Sequence, residues 1–188
     1  MGKFTKVAQS TFDEIQVDAG VLLKNFNPQT PELADEAIIC ATTGGINPVC
    51  TASYEDFAED IDNAPNGMKE FMKLTGWECT LGFTALNTTP EVIRMALGAA
   101  DIDVASGKIT PRRDLKDTDF ADIWWVGDRT DGGLVAIRLI NALSTSGFSL
   151  QTTKNGKGQI AVTLAGHVSI ATQDVVPMEF YVQKGAAA

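Results

Sequence analysis

GWECTLGFTAL, residues 76–86, decides the fold. Trp77, Cys79, Leu81 and Phe83 share one parity, and Glu78, Thr80 and Thr84 take the other, which is the period-two signature of a strand. One apolar face and one polar face predict a sheet packed on one side and wet on the other. TTPEVIRMALG follows at once, over residues 88–98. Thr89 suits an N-cap, Pro90 the first helical position, Glu91 the positive dipole end and Gly98 the stop. Val92, Met95, Ala96 and Ala99 form a stripe, so one helix over about 89–98 is expected to cover a sheet face.

Upstream, ADEAIICAT predicts a strand over residues 35–42. Between it and the first stretch lie residues 43–75, an acidic, Gly- and Pro-punctuated insertion. Ordering each residue costs about 1–2 kcal/mol, so so long a connection is expected to bind something or to pack on a neighbour. Its GMKEFMKL end places Met68, Phe71 and Met72 at i, i+3 and i+4, which predicts a short amphipathic helix. Further upstream, FDEIQV and GVLLKNF flank Asp18-Ala19 and predict a hairpin with Gly20 near its turn. Residues 1–11 are expected to form an N-terminal arm.

Downstream, the charged residues 101–119 predict a loop or edge hairpin. FADIWWVG and GLVAIRLINAL flank the turn signal of residues 128–132, and GFSLQTT and QIAVTLAGHVSI flank a tip with Asn155-Gly156 at its centre. In the last of these, Ile160, Val162, Leu164, Val168 and Ile170 share one parity. Trp124 and Trp125 are adjacent and therefore face opposite ways, so one is expected in the core and the other outside unless a second surface covers it. Residues 172–188, broken by Pro177, read as a C-terminal arm. The expectation is one domain over residues 1–188. It is mainly β, an antiparallel β-sandwich or barrel-like fold with one flanking α-helix and a long inserted loop.

Composition narrows the function. The 188 residues are 44% hydrophobic, enough for a real core. Fifteen basic against 24 acidic residues give a net charge of −9, the wrong sign for gripping nucleic acid. No charged segment leads into an apolar one at the N-terminus, so no signal peptide is expected, and no apolar run approaches the ~18 residues of a membrane span. Cys40, Cys50 and Cys79 lack CxxC spacing and read as free thiols of a reducing compartment.

Catalytic and metal-binding patterns are few. His167 is the only histidine and sits opposite the apolar parity, as a solvated or interface residue would. Glu55, Asp56, Glu59, Asp60 and Asp62 invite a calcium reading, but counting from Asp60 puts Ala64 and Pro65 where a ligand and a glycine are required. Gly44-Gly45, Gly132-Gly133 and Gly156-x-Gly158 fit turns, not phosphate cradles. No cofactor or metal is expected, and the chain reads as an assembly subunit and not as an enzyme.

The order of elements carries a resemblance. An arm, a hairpin, a strand and a long acidic loop precede GWECTLGFTAL and TTPEVIRMALG; WWVGDRTDGGLVAIRLINAL and a closing hairpin ending GQIAVTLAGHVSI follow. This resembles the major tail tube protein of long-tailed (siphovirus-type) bacteriophages over most of the chain. The resemblance implies hexameric rings stacked into a hollow tube, strands of six subunits lining the lumen, and DNA passing through without specific binding. It also implies tape-measure and tail-terminator proteins as partners, and a virion tail assembled in the host cytoplasm. An acidic wall would let DNA slide. On that reading Glu36, Glu78 and Thr80, on the polar parity of the strands flanking the loop, are lumen-lining candidates. Tyr54, Phe57, Met68, Phe71, Met72 and Leu74 are candidates for contact between rings.

Two other readings stay open. One is the inner tube of a contractile tail or phage-like injection device, which a neighbouring sheath gene would identify. The other is a carbohydrate- or calcium-binding β-sandwich module, which calorimetry with calcium and glycan binding would identify. A glycoside hydrolase would need a specific carboxylate pair, which sequence does not single out.

Overall fold

The computed structural model describes residues 4–185. Ten strands and one helix follow in order: β1 (Gln16–Leu23), β2 (Thr42–Asp56), β3 (Met72–Ala85), α1 (Pro90–Leu97), β4 (Ala100–Asp103), β5 (Lys108–Pro111), β6 (Ala121–Arg129), β7 (Leu134–Ser144), β8 (Leu150–Gln151), β9 (Gln159–Ala165) and β10 (Met178–Gln183). All pairings are antiparallel. The fold is mainly β and sandwich-like, with a single α-helix among the described residues, as the alternating pattern and the one capped segment predict. Among those residues no helix is long and apolar enough to cross a membrane.

One sheet runs β1-β6-β7-β10, and the other places β9 beside β3, with β2 outside β3 and the short β8 on β9. Strand β7 belongs to both. Leu134 to Ala142 pair with β6 or β10; Asn141 then adopts φ 47, and Leu143 and Ser144 pair with Ala165 and Leu164 of β9. Asparagine is among the few residues that enter this left-handed region readily.

The core lies between the sheets. Leu81, Phe83 and Ala85 of β3 and Ile160, Val162 and Leu164 of β9 meet Trp125, Ile137 and Leu139 of the opposite sheet. Each fully buried leucine or isoleucine here contributes about 1.5–3 kcal/mol. Helix α1 closes one end with Val92 and Ala96. Its start is the expected one: the Thr89 hydroxyl accepts from the Val92 N–H and Pro90 follows. Gly98 ends it at φ 77, and Ser144 Oγ donates to the Ala96 carbonyl at 2.8 Å. The charged segment after the helix contains the β4–β5 hairpin.

A second, smaller apolar layer covers the outer face of the β1-β6-β7 sheet. Leu23, Trp124 and Ala136 pack there against Phe26, Ala37, Ile38 and Tyr181. Both tryptophans are therefore buried, on opposite faces. Trp124 is not exposed because residues 24–38 fold back over it, with Phe26 edge-on at 5.8 Å and the Arg138 guanidinium 5.6 Å from the ring.

That same segment replaces the strand expected over residues 35–42. Asp35–Ala37 form a single 3-10 turn, Ile38 makes one bridge to Leu23, and Cys40 drops into the main core. Nor is there a hairpin at Asp18-Ala19. FDE lies in the 3-10 turn Gln9–Glu14, and β1 is one strand with a bulge between Val17 and Val21. The bulge aims the Ala19 carbonyl at Trp125 Nε1, 2.9 Å away. A Cβ on Gly20 would lie 2.4 Å from the Val126 carbonyl oxygen, so only glycine fits that crossing.

The ends of the chain also differ from expectation. Residues 9–14 are tied to the β6–β7 turn: Thr130 Oγ donates to the Phe12 carbonyl, and Arg129 Nη2 to the Asp13 carbonyl at 3.3 Å. The middle of the expected C-terminal arm is strand β10, whose Met178 enters the core. Residues 1–3 and 186–188 of the two expected arms lie outside the described residues. β9 stops at Ala165, leaving Val168 and Ile170 exposed, because the Gly166 N–H bonds the Cys79 carbonyl and the His167 N–H that of Ile140.

Candidate assembly surface

Residues 43–75 are not a loop. Most of them are the two arms of a long β2–β3 hairpin, paired from Thr42↔Ala85 out to Asp56↔Met72. The backbone groups of these residues are satisfied by the ladder, which is why so long an excursion holds its shape. The helix expected at residues 67–74 gives way for the same reason. The Phe71 N–H closes a turn on the Met68 carbonyl, and Met72, Lys73 and Leu74 extend β3 opposite Asp56, Glu55 and Tyr54. An i, i+4 stripe of three residues does not outweigh a waiting cross-strand partner.

The tip is held by one carboxylate. Asp56 Oδ1 accepts from the Ala58 N–H at 2.9 Å, and Oδ2 from the Gly67 N–H at 2.7 Å. These bonds, Ala58 first and then Gly67, hold the Asp56 carboxyl below the ordinary aspartate range. Asp56, suspected as a calcium ligand, is thus an acceptor for backbone amides. Among the described residues no group of three or more His, Cys, Asp or Glu side chains is arranged to hold a metal ion.

Register assigns the hairpin's two faces. Cross-strand pairs Ile46–Phe83, Pro48–Leu81, Cys50–Cys79, Ala52–Trp77, Tyr54–Leu74 and Asp56–Met72 lie on one face, a bulge at Thr75 keeping the last two in phase. At the root this face is core: Leu81 is fully buried, Phe83 is 5% exposed and Cys79 3%. Past Cys50 and Cys79 the large side chains on this face are exposed. Trp77 is 42% exposed, Leu74 45%, Met72 42% and Tyr54 62%. The other face carries Asn47, Thr51, Ser53, Glu55, Lys73, Glu78 and Thr80.

The six candidate contact residues therefore divide. Tyr54, Met72 and Leu74 are brought together on the apolar face. Phe57 and Phe71 lie just beyond the last ladder pair, where the Phe57 N–H bonds the Phe71 carbonyl and Lys73 Nζ sits 5.5 Å from the Phe57 ring, and Met68 lies in the turn. Trp77 was expected in the core and instead belongs to the exposed set. Its parity was legible; the point at which the opposite sheet ends was not.

The three lumen candidates do not form one surface. Glu78 and Thr80 lie together on the outer face of the β3 sheet, exposed and half-buried respectively. Glu36 is exposed on the 3-10 turn that covers the outer face of the other sheet, on the opposite flank of the sandwich. It has no strand parity to share with Glu78.

A second uncovered strip was missed. β10 borders its sheet, paired only with β7, and Met178, Phe180 and Val182 share one parity. Met178 is buried, whereas Phe180 is 58% and Val182 65% exposed. The alternation in MEFYVQ was the available signal, obscured by Pro177 just before it. His167 is half-buried: Nδ1 lies 3.2 Å from the Asn141 carbonyl oxygen, and Phe120 packs edge-on at 5.4 Å.

No protein-family model matches the chain, and no curated protein matches it in sequence.

Proposed function

We propose that this chain is the structural subunit of a phage tail tube, building hollow tubes from rings of identical copies through which DNA passes without specific binding. The observation that carries this reading is the β2–β3 hairpin, whose apolar face continues outward from the core and lies exposed. A hydrogen-bonded ladder presenting Tyr54, Leu74, Met72 and Trp77 to water is a surface completed by another molecule. The uncovered strip on β10 supports the same reading from the opposite sheet, since a bordering strand with open backbone groups invites pairing with another chain. The net charge of −9 suits a conduit that must not retain DNA. Glu78 and Thr80 remain the lumen candidates; Glu36, on the other flank, would serve elsewhere.

Negative-stain microscopy of the purified protein tests this directly. Long hollow filaments, or rings at the least, are expected, and monomers alone at high concentration would sink the reading. Replacing residues 53–76 by an Asn-Gly turn keeps Ala52 opposite Trp77 and retains the buried root of the hairpin. The shortened chain is expected to fold and not to polymerise, and unchanged tubes would remove the hairpin from the contact.

A further inference from the structure

Cys50 and Cys79 stand directly opposite each other across the β2–β3 ladder, with their Sγ atoms 3.3 Å apart. We propose that this pair is an oxidation site, closing to a cross-strand disulfide on exposure to an oxidised low-molecular-weight disulfide and stapling the hairpin where it leaves the body. Facing residues of an antiparallel pair have Cα atoms about 4.5–5.5 Å apart, inside the range of about 4.4–6.8 Å that disulfides span. Closure to a bond of about 2.05 Å requires the sulfurs to approach by little more than an ångström.

The two thiols are unequally placed. Cys50 is half-buried on the bordering strand β2, within reach of a small oxidant, whereas Cys79 is 3% exposed. The Cys50 thiolate attacks one sulfur of the oxidant RSSR, forming a mixed disulfide and releasing RS⁻. Cys79 then loses its proton to solvent, attacks the Cys50 sulfur and expels the second RS⁻. Two electrons pass from the cysteine pair to the oxidant, which leaves as two thiols once the RS⁻ groups take up protons. Burial first, and then the hydrogen bond with Cys50, push the Cys79 thiol up to about 12, so the second step quickens as pH rises. Cys40, buried in the core and pushed up to about 11 by that burial, stays reduced.

Position gives the bond its consequence. The Cys79 carbonyl accepts from the Gly166 N–H at 2.9 Å, one of the last ties between β3 and the body before the hairpin stands free. A link between residues 29 apart in sequence also restricts the unfolded chain.

The probe is oxidised glutathione, added to the unassembled protein and to Cys40→Ala, which leaves only the two thiols in question. Expected are the loss of both free thiols, a mass lower by two hydrogens, and a tryptic cross-link joining residues 25–69 to residues 74–94. Tm is expected to rise by about 5–10 °C. Cys50→Ser is expected to prevent the cross-link and to leave Cys79 alkylatable once unfolded. If Cys40→Ala fails to fold, fragment ions of the wild-type cross-link locate the bond instead. Persistence of both thiols while a free cysteine peptide oxidises, a dimer joined through Cys50, or a bond to Cys40 would each overturn the proposal.

Discussion

Below and above the Cys50–Cys79 pair, the β2–β3 ladder is the same structure in two situations. The alternation and the antiparallel pairing continue across it. Below, Leu81 and Phe83 meet the opposite sheet and are almost wholly buried; above, Trp77 and Leu74 face only their cross-strand neighbours and are nearly half exposed. Alternation determines which face of a strand is apolar. Whether that face is covered depends on what the rest of the chain, or another chain, places opposite it.

The sharpest way to break this comparison is to truncate one leucine in each half. Leu81→Ala is expected to cost about 2–5 kcal/mol in urea unfolding, because it opens a cavity in a packed interior. Leu74→Ala is expected to change the stability of the isolated subunit by less than about 0.5 kcal/mol while raising the concentration needed for polymerisation, read by sedimentation. Equal destabilisation by the two would mean that the outer half is part of the subunit's own core.

Thr89→Ala tests the body alone, removing the hydroxyl that caps α1. A loss of about 1 kcal/mol is expected, with hydrogen exchange in residues 52–56 and 72–78 unchanged. Faster exchange there would show that the hairpin draws its order from the helix end of the sandwich.

Acid tests the tip alone. Because its amide partners depress the folded pKa of Asp56, the ordering it supplies is fully present above the unfolded value, roughly pH 4, and is lost as pH falls through the lower folded value. Amide exchange at Ala58 and Gly67 is expected to accelerate across that window relative to the intrinsic rate, and Asp56→Asn to remove the pH dependence. A flat profile in the wild type would discard the carboxylate's role. The smallest effect is expected from Glu78→Gln on the polar face: subunit stability within about 0.5 kcal/mol and tubes still formed, with any change confined to DNA passage.

The parts legible in the sequence were those set by local chemistry. Thr89, Pro90 and Gly98 announce α1 because capping is decided within a few residues. The turn after β6 and the hairpin around Asn155-Gly156 follow from turn residues alone. The parts that escaped depend on distant partners. Residues 35–38 look like the start of a strand, yet their conformation is dictated by Trp124, a residue far along the chain. Met68, Phe71 and Met72 have helical spacing, and the strand they join is visible only once β2 is known to lie beside it. On the exposed apolar face, Tyr54, Met72 and Leu74 were singled out because a loop offered them no core. Trp77 was not, since it alternates as a buried strand residue does, and β10 was not, since Pro177 hid its alternation in what read as an arm.

The sheet order also has a consequence for synthesis. β1 pairs with β6, and roughly a hundred residues, containing the whole β2–β3 hairpin, separate them. At about 5–20 residues per second, a ribosome needs on the order of 5–20 s to deliver β6 after β1 has emerged. Throughout that interval the hairpin, whose strands lie close in sequence, is free to zip up first, while Leu22 and Leu23 wait for Trp125 and Trp124. The exposed face thus forms before the body that bears it is closed, so that on the proposed reading the timing of translation, as much as the shape of the finished subunit, bears on when copies first meet.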